Sequence, residues 1–147
     1  MSDVLLIIDD REDDSFLLER MLRRLGVGNP LVKLSSGDET IQYLSGKGRF
    51  SDREQYPLPS VMFLDLKMPG KDGFEVLEWI QRNPLTKRCL VLIVSELNAL
   101  GDIRRAYHLG ANSFLSKPLI EAEVRECLRN HPESWDFADP QALEAAY

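Results

Sequence analysis

Four apolar runs in this chain each lead into a polar group, and the polar groups are of kinds that do chemistry together. Val4 to Ile8 stops at Asp9 and Asp10, Val61 to Leu64 at Asp65, Leu90 to Val94 at Ser95, and the short run Ser113 to Leu115 is followed by Lys117. A third carboxylate beside a pair raises the local negative charge to a level that water alone screens poorly, so the natural occupant is a hard divalent ion such as Mg²⁺. With that ion held by Asp9 and Asp10, an incoming phosphoryl group is screened while Lys117 and the Ser95 hydroxyl contact its oxygens. Asp65 is then the nucleophile, and the product is an aspartyl phosphate. Each residue alone has a plainer use. Aspartate after a strand is a common helix N-cap, acids such as Asp13 and Asp14 in a first helical turn complement the helix dipole, and Lys117 before Pro118 reads as a solvated loop lysine. Convergence on one edge is what favours chemistry over structure.

The elements that would bring these residues together alternate regularly. After the first run, Leu18, Met21, Leu22 and Leu25 recur at helical spacing and Gly26 closes the segment. The pattern repeats: Leu31 to Leu34 then Gly37 to Leu44, Val61 to Leu64 then Phe74, Leu77 and Ile80, Leu90 to Val94 then Leu100, Ile103 and Tyr107. Ser113 to Leu115 precedes Ile120, Val124, Cys127 and Leu128, which makes five strand-helix pairs. Runs that are apolar at every position are buried on both faces, and intervening helices supply the crossovers that parallel pairing requires. The expectation is an α/β, doubly wound, five-stranded parallel sheet with five helices. Ligands of such sheets bind outside the carboxyl ends of the strands, where Asp9, Asp10, Asp65, Ser95 and Lys117 all fall.

At 147 residues the chain fits one domain, and 44% hydrophobic with 29% charged residues is the composition of a soluble globular protein. A net charge of −6 with no basic run disfavours direct nucleic-acid binding. The first apolar stretch is too short and too closely followed by acids for a signal peptide or membrane span, so a cytoplasmic location is expected. Cys89 and Cys127 lack metal-ligand spacing and read as packing thiols, and His108 and His131 likewise have no ligand-type neighbours. Two segments break the rhythm. The connection Gly46 to Pro59, about 14 residues, is longer than usual for such a fold. A tail from His131 to Tyr147 carries Trp135, Phe137, Leu143 and Tyr147.

With these residues in view, the chain resembles the receiver domain of two-component response regulators. The resemblance rests on Ile7-Ile8-Asp9-Asp10, Phe63-Leu64-Asp65-Leu66-Lys67-Met68-Pro69-Gly70, Ile93-Val94-Ser95 and Phe114-Leu115-Ser116-Lys117-Pro118, in family order over roughly residues 3 to 130. It implies the flavodoxin-like strand order 2-1-3-4-5. It also implies that Asp65 accepts phosphate from a histidine kinase, that Asp10 ligates Mg²⁺ directly and Asp9 mainly through water, and that the Lys67 carbonyl completes the protein ligands. Ser95 is then the switch hydroxyl, Phe114 the aromatic switch residue, Lys117 the phosphate-contacting lysine, and the Lys117–Pro118 bond cis. The long loop and aromatic tail resemble single-domain regulators paired with phytochrome-type kinases. On that reading residues 1–130 form the receiver, 131–147 a tail with no separate output domain, and output is by protein contact, including a homodimer. For the tail, packing back on its own domain is an equal alternative.

Some positions depart from the family pattern. Glu96 replaces a residue that is usually small and could narrow access or repel an anionic donor, and Phe114 lacks the hydroxyl of the commoner tyrosine. Lys67 and Leu97 lie where the family tunes dephosphorylation. Rival readings are weaker. A haloacid-dehalogenase-type phosphatase needs an aspartate where Lys67 stands. A flavin-binding protein needs a phosphate loop where Asp9 to Asp14 holds five acids in six residues. A pseudo-receiver, binding partners without phosphorylation, is the strongest rival, with Glu96 in its favour. The chain is expected to be a phosphoacceptor, with at most self-catalysed phosphorylation and dephosphorylation, rather than a turnover enzyme.

Overall fold

A computed structural model describes residues 3–137. The elements are β1 (Leu5–Ile8), α1 (Glu12–Arg24), β2 (Leu31–Leu34), α2 (Gly37–Ser45), β3 (Val61–Leu64), α3 (Gly73–Arg82), β4 (Leu90–Ser95), α4 (Leu100–His108), β5 (Ser113–Ser116) and α5 (Glu121–Asn130). Single 3₁₀ turns occupy Gly48–Phe50 and Pro132–Ser134. The strands are parallel in the order β2-β1-β3-β4-β5, as the sequence pattern and the resemblance together lead one to expect.

Residues in β1 and β3 are buried at every position because helices cover both faces of the sheet. Side chains alternate across each strand. Leu6, Ile8, Met62, Leu64 and Ile93 meet Tyr43 and Leu44 of α2 and Phe74, Leu77 and Ile80 of α3 on one face. Leu5, Ile7, Phe63, Leu92 and Val94 meet Leu18 and Leu22 of α1 and Val124, Cys127 and Leu128 of α5 on the other. The edge strands depart from two-sided burial: in β2 only Leu34 is buried and in β5 only Leu115, since a strand at the margin has a neighbour on one side only.

The α4 stripe also differs from expectation. Leu100 and Tyr107 are 61% and 47% exposed, and Ala106 is the one buried residue of the helix. The face turned inward is Ile103, Ala106 and Leu109, a rotation of the expected set. Ala106 stands at the centre of that face, and the Arg105 guanidinium lies 4.1 Å above the Phe74 ring centroid.

The long connection is stapled down. Arg53 donates to the carbonyls of Tyr43 and Leu44 at 2.7 Å each and to that of Tyr56 at 3.0 Å, tying the last turn of α2 to the connection that follows it. Tyr43, Phe50 and Tyr56 pack ring against ring, and the Tyr43 hydroxyl donates to the Pro57 carbonyl at 2.8 Å. Gly46 supplies the left-handed turn (φ 65°) that ends α2. The described part of the tail packs on its own domain. Trp135 is buried 5.9 Å from the Phe63 ring and its indole N–H donates to the Leu128 carbonyl, while Phe137 bridges Val27. Leu143 and Tyr147 lie outside the described residues. Among the described residues no helix is long and apolar enough to cross a membrane.

Candidate functional site

The carboxyl ends of β1, β3, β4 and β5 bring the expected residues together. Asp9 and Asp65 are 6% and 4% exposed, whereas Asp10 faces solvent, and carboxylate oxygens of all three lie within 4.8 Å of one another. Each buried aspartate is fixed by a main-chain bond two residues on: Asp9 Oδ1 accepts from Arg11 N at 2.9 Å and Asp65 Oδ1 from Lys67 N at 3.1 Å. The loop after β3 is held by close approach of α3. A Cβ at Gly73 would stand 2.2 Å from the Asp65 carbonyl oxygen, so only glycine lets the two backbones meet there. Lys67 lines the site, and its N–H supports Asp65.

Lys117 reaches in from the end of β5, its backbone N–H bonded to the Ser95 carbonyl at 3.0 Å and its peptide to Pro118 cis, as the resemblance implies. Its ammonium donates to Asp9 Oδ2 at 2.6 Å, Asp14 Oδ2 at 3.0 Å and Asp65 Oδ2 at 3.1 Å, which occupies all three of its N–H groups. Burial alone would lower its pKa, but the bonds to Asp9 and Asp14 and the Asp65 charge outweigh it and leave the pKa raised. Lys117 therefore stays charged. Asp9 also has a raised pKa, because burial outweighs the bonds from Lys117 and Arg11. The carboxylates of Asp9, Asp10, Asp14 and Asp65 against the Lys117 ammonium and the Arg11 guanidinium leave a formal excess of two negative charges (−4 plus +2). An all-oxygen donor set with that excess fits a hard divalent cation held by Asp9, Asp10 and Asp65.

Ser95 is fully buried and its Oγ accepts from Leu97 N at 3.2 Å. Phe114 is half-buried, packed on the α3 side of the core and bordering a groove with Tyr107. A cleft of about 360 Å³ opens over Asp65, lined by Asp10, Arg11, Lys67, Met68, Pro69 and Glu96.

This arrangement has recognisable relatives. The family of the response regulator receiver domain matches residues 5–129. The chain belongs to that family. Response regulator Rcp1 of Synechocystis is 32% identical over 114 residues, covering 78% of this chain and 76% of Rcp1. A manganese-bound form of Rcp1 superposes with a TM-score of 0.73 at 29% identity, covering 86% of this chain and 89% of that one. RPA3017, a response regulator in red light signaling of R. palustris, gives a TM-score of 0.77 at 30% identity over 90% and 92% of the two chains. The phosphorylated cyanobacterial phytochrome response regulator RcpA gives 0.76 at 25% identity over 95% and 100%. This receiver domain is thus similar to regulators that work with phytochromes, and receiver domains bind a divalent metal and take phosphate from histidine kinases.

Sequence reasoning missed three positions in this receiver. Asp14 read as a helix-dipole residue, but from the first turn of α1 its carboxylate reaches Lys117. Arg11, between the acid pair and α1, sends its side chain toward Asp14 and Glu96, at 3.6 and 3.5 Å. Gly73 carried no signal beyond following Asp72, the α3 N-cap.

Proposed function

We propose that Asp65 is the phosphoacceptor of this receiver, with Asp9, Asp10, Asp65 and the Lys67 carbonyl holding Mg²⁺. The observation that carries the reading is the Lys117 ammonium bonded at once to Asp9, Asp14 and Asp65 beside a carboxylate triad. An Asp65 oxygen attacks phosphorus, an O–P bond forms, and the P–N bond to the kinase histidine breaks. The imidazole leaves with the electron pair and is protonated from solvent. Bound Mg²⁺ supplies positive charge against the phosphoryl oxygens. Lys117 exchanges its longest bond, that to Asp65, for a phosphoryl oxygen, and remains anchored by Asp9 and Asp14. Ser95 already uses one acceptor site for Leu97 N and keeps its O–H proton for the phosphoryl group. Its inward shift vacates space for the half-buried Phe114 ring, which changes the surface formed by α4, β5 and α5. Self-catalysed hydrolysis by water then restores the Asp65 carboxylate and releases inorganic phosphate.

The donor is a sensor histidine kinase of phytochrome type, supported by the likeness to red-light regulators, and this receiver acts in the cytoplasm. Phosphotransfer to this chain from a phytochrome-type kinase should outpace transfer from an unrelated kinase. Output is by protein contact, with a homodimer through the α4, β5 and α5 face. Because Trp135 is buried in its own domain, a truncation that tests dimerisation without unfolding the domain starts at residue 138, and light scattering of the full chain reads the dimer. The phosphoacceptor itself is tested by acetyl phosphate with Mg²⁺ and intact mass: one phosphoryl group is gained by the natural chain and none by Asp65→Asn. No gain from acetyl phosphate or from any histidine kinase would favour the pseudo-receiver.

A further inference from the structure

Three aspartates hold the Lys117 ammonium, and one of them lies apart from the acids that would hold the cation. Among the described residues the carboxylates grouped closely enough to share a cation are those of Asp9, Asp10 and Asp65. Asp14 stands on the first turn of α1, a helix fixed by the buried Leu18 and Leu22. Its Oδ2 accepts from Lys117 at 3.0 Å, beside the 3.1 Å bond from Lys117 to Asp65. The Lys117 side chain is 7% exposed, so the acceptors around it, and not bulk water, decide where the ammonium rests.

The two oxygens of Asp65 are held differently. Oδ1 is bonded to the Lys67 backbone N–H in a loop that α3 packs against, whereas Oδ2 is held by a side chain that can leave. Oδ2 is therefore the oxygen that can be freed for attack. An ammonium resting on it draws off its charge and stands where phosphorus must approach.

We propose that Asp14 is a positioning residue that draws the Lys117 ammonium off the Asp65 nucleophile and toward α1. This rests on Asp65 being the phosphoacceptor. With Asp9 and Asp14 as firm acceptors, the ammonium gives up its bond to Asp65 readily and turns that N–H to a phosphoryl oxygen. Without the Asp14 charge, Asp9 and Asp65 are the anions still bonded to it, and it settles on Asp65 Oδ2. The step retarded is the one in which Oδ2 bonds to phosphorus and the P–O bond of acetyl phosphate breaks, acetate leaving with the electron pair. Charge alone would give the opposite sign, because deleting an anion near the site eases the approach of an anionic donor.

The test is the initial rate of phosphorylation by acetyl phosphate at saturating Mg²⁺, read by intact mass. Asp14→Asn keeps the side chain's size and should slow the reaction about tenfold, the effect of one charge-assisted hydrogen bond. Asp14→Glu restores the carboxylate and should recover the rate to within about threefold of the natural chain. In a Lys117→Ala background Asp14→Asn should change the rate by less than about twofold, because Asp14 acts through the lysine. Where Lys117→Ala reacts too slowly to follow, the sign of Asp14→Asn and its rescue by Asp14→Glu decide. An Asp14→Asn chain as fast as the natural one or faster, no recovery in Asp14→Glu, or equal slowing in the Lys117→Ala background would overturn the proposal and leave Asp65 as the acceptor. If the natural chain gains no phosphoryl group from acetyl phosphate or from a histidine kinase, the reading of Asp65 falls and the role of Asp14 falls with it.

Discussion

Helices α3 and α4 follow adjacent strands of the same sheet and flank the same site, yet they are held very differently. In α3, Gly73, Phe74, Val76, Leu77 and Ile80 are buried, its first turn is capped by Asp72, and its start presses on the Asp65 backbone. In α4, Ala106 alone is buried and no side chain caps its N-terminus. The difference divides the site into a fixed part around Asp65 and Lys67 and a lightly held part that, on the proposed reading, can move at low cost when Ser95 and Phe114 rearrange. Local stability follows buried apolar contact, so the segment from Ser95 to Phe114 is drawn from the low end of the stability range.

The comparison can be broken most forcefully on the fixed side. Trp135→Ala removes a buried indole from the face shared by β3, α1 and α5 and should lower stability by about 3–5 kcal/mol in chemical denaturation. A small loss would mean that the tail is not part of the fixed body. Gly73→Ala should cost about 1–3 kcal/mol by forcing α3 off the Asp65 loop, and should slow phosphorylation further than the stability loss explains. On the lightly held side, Leu100→Ala should change stability by less than about 0.5 kcal/mol, and amides of α4 should exchange with deuterium well before those of α3. Equal protection of the two helices would erase the distinction. The smallest effect concerns Cys127, whose thiol burial pushes up to about 11 from 9.0. The folded state favours the protonated form, so this contribution is complete below about pH 9 and is lost as pH rises through 11. Native-state thiol labelling should accordingly be slow at pH 8 and accelerate toward pH 11.

The sequence made the strands legible because burial on two faces leaves an uninterrupted apolar run, and the site legible because each run ends on a reactive group. β1, β2 and β3 and the residues Asp9, Asp10, Asp65, Ser95 and Lys117 stand where those runs place them. α4 was misread because its inward face is centred on alanine, which hydrophobic periodicity weighs less than the outward Leu100 and Tyr107. The ordering of the Gly46 to Pro59 loop was hidden because it depends on Arg53, a charged residue whose partners are carbonyls near and beyond the end of α2, not side chains visible in a pattern. Asp14 was hidden by its second use, since an acid in a first turn already has a structural explanation.

The central claim is that the charge cluster serves a phosphoryl group on Asp65 and on no neighbouring acid. Acyl phosphates are reduced by borohydride to the alcohol, so treating the phosphorylated chain and mapping peptides by mass reads the acceptor directly. The expected result is homoserine at position 65, with Asp9, Asp10 and Asp14 unchanged. Conversion at any of those three instead, or phosphorylation that persists in Asp65→Asn, would contradict it.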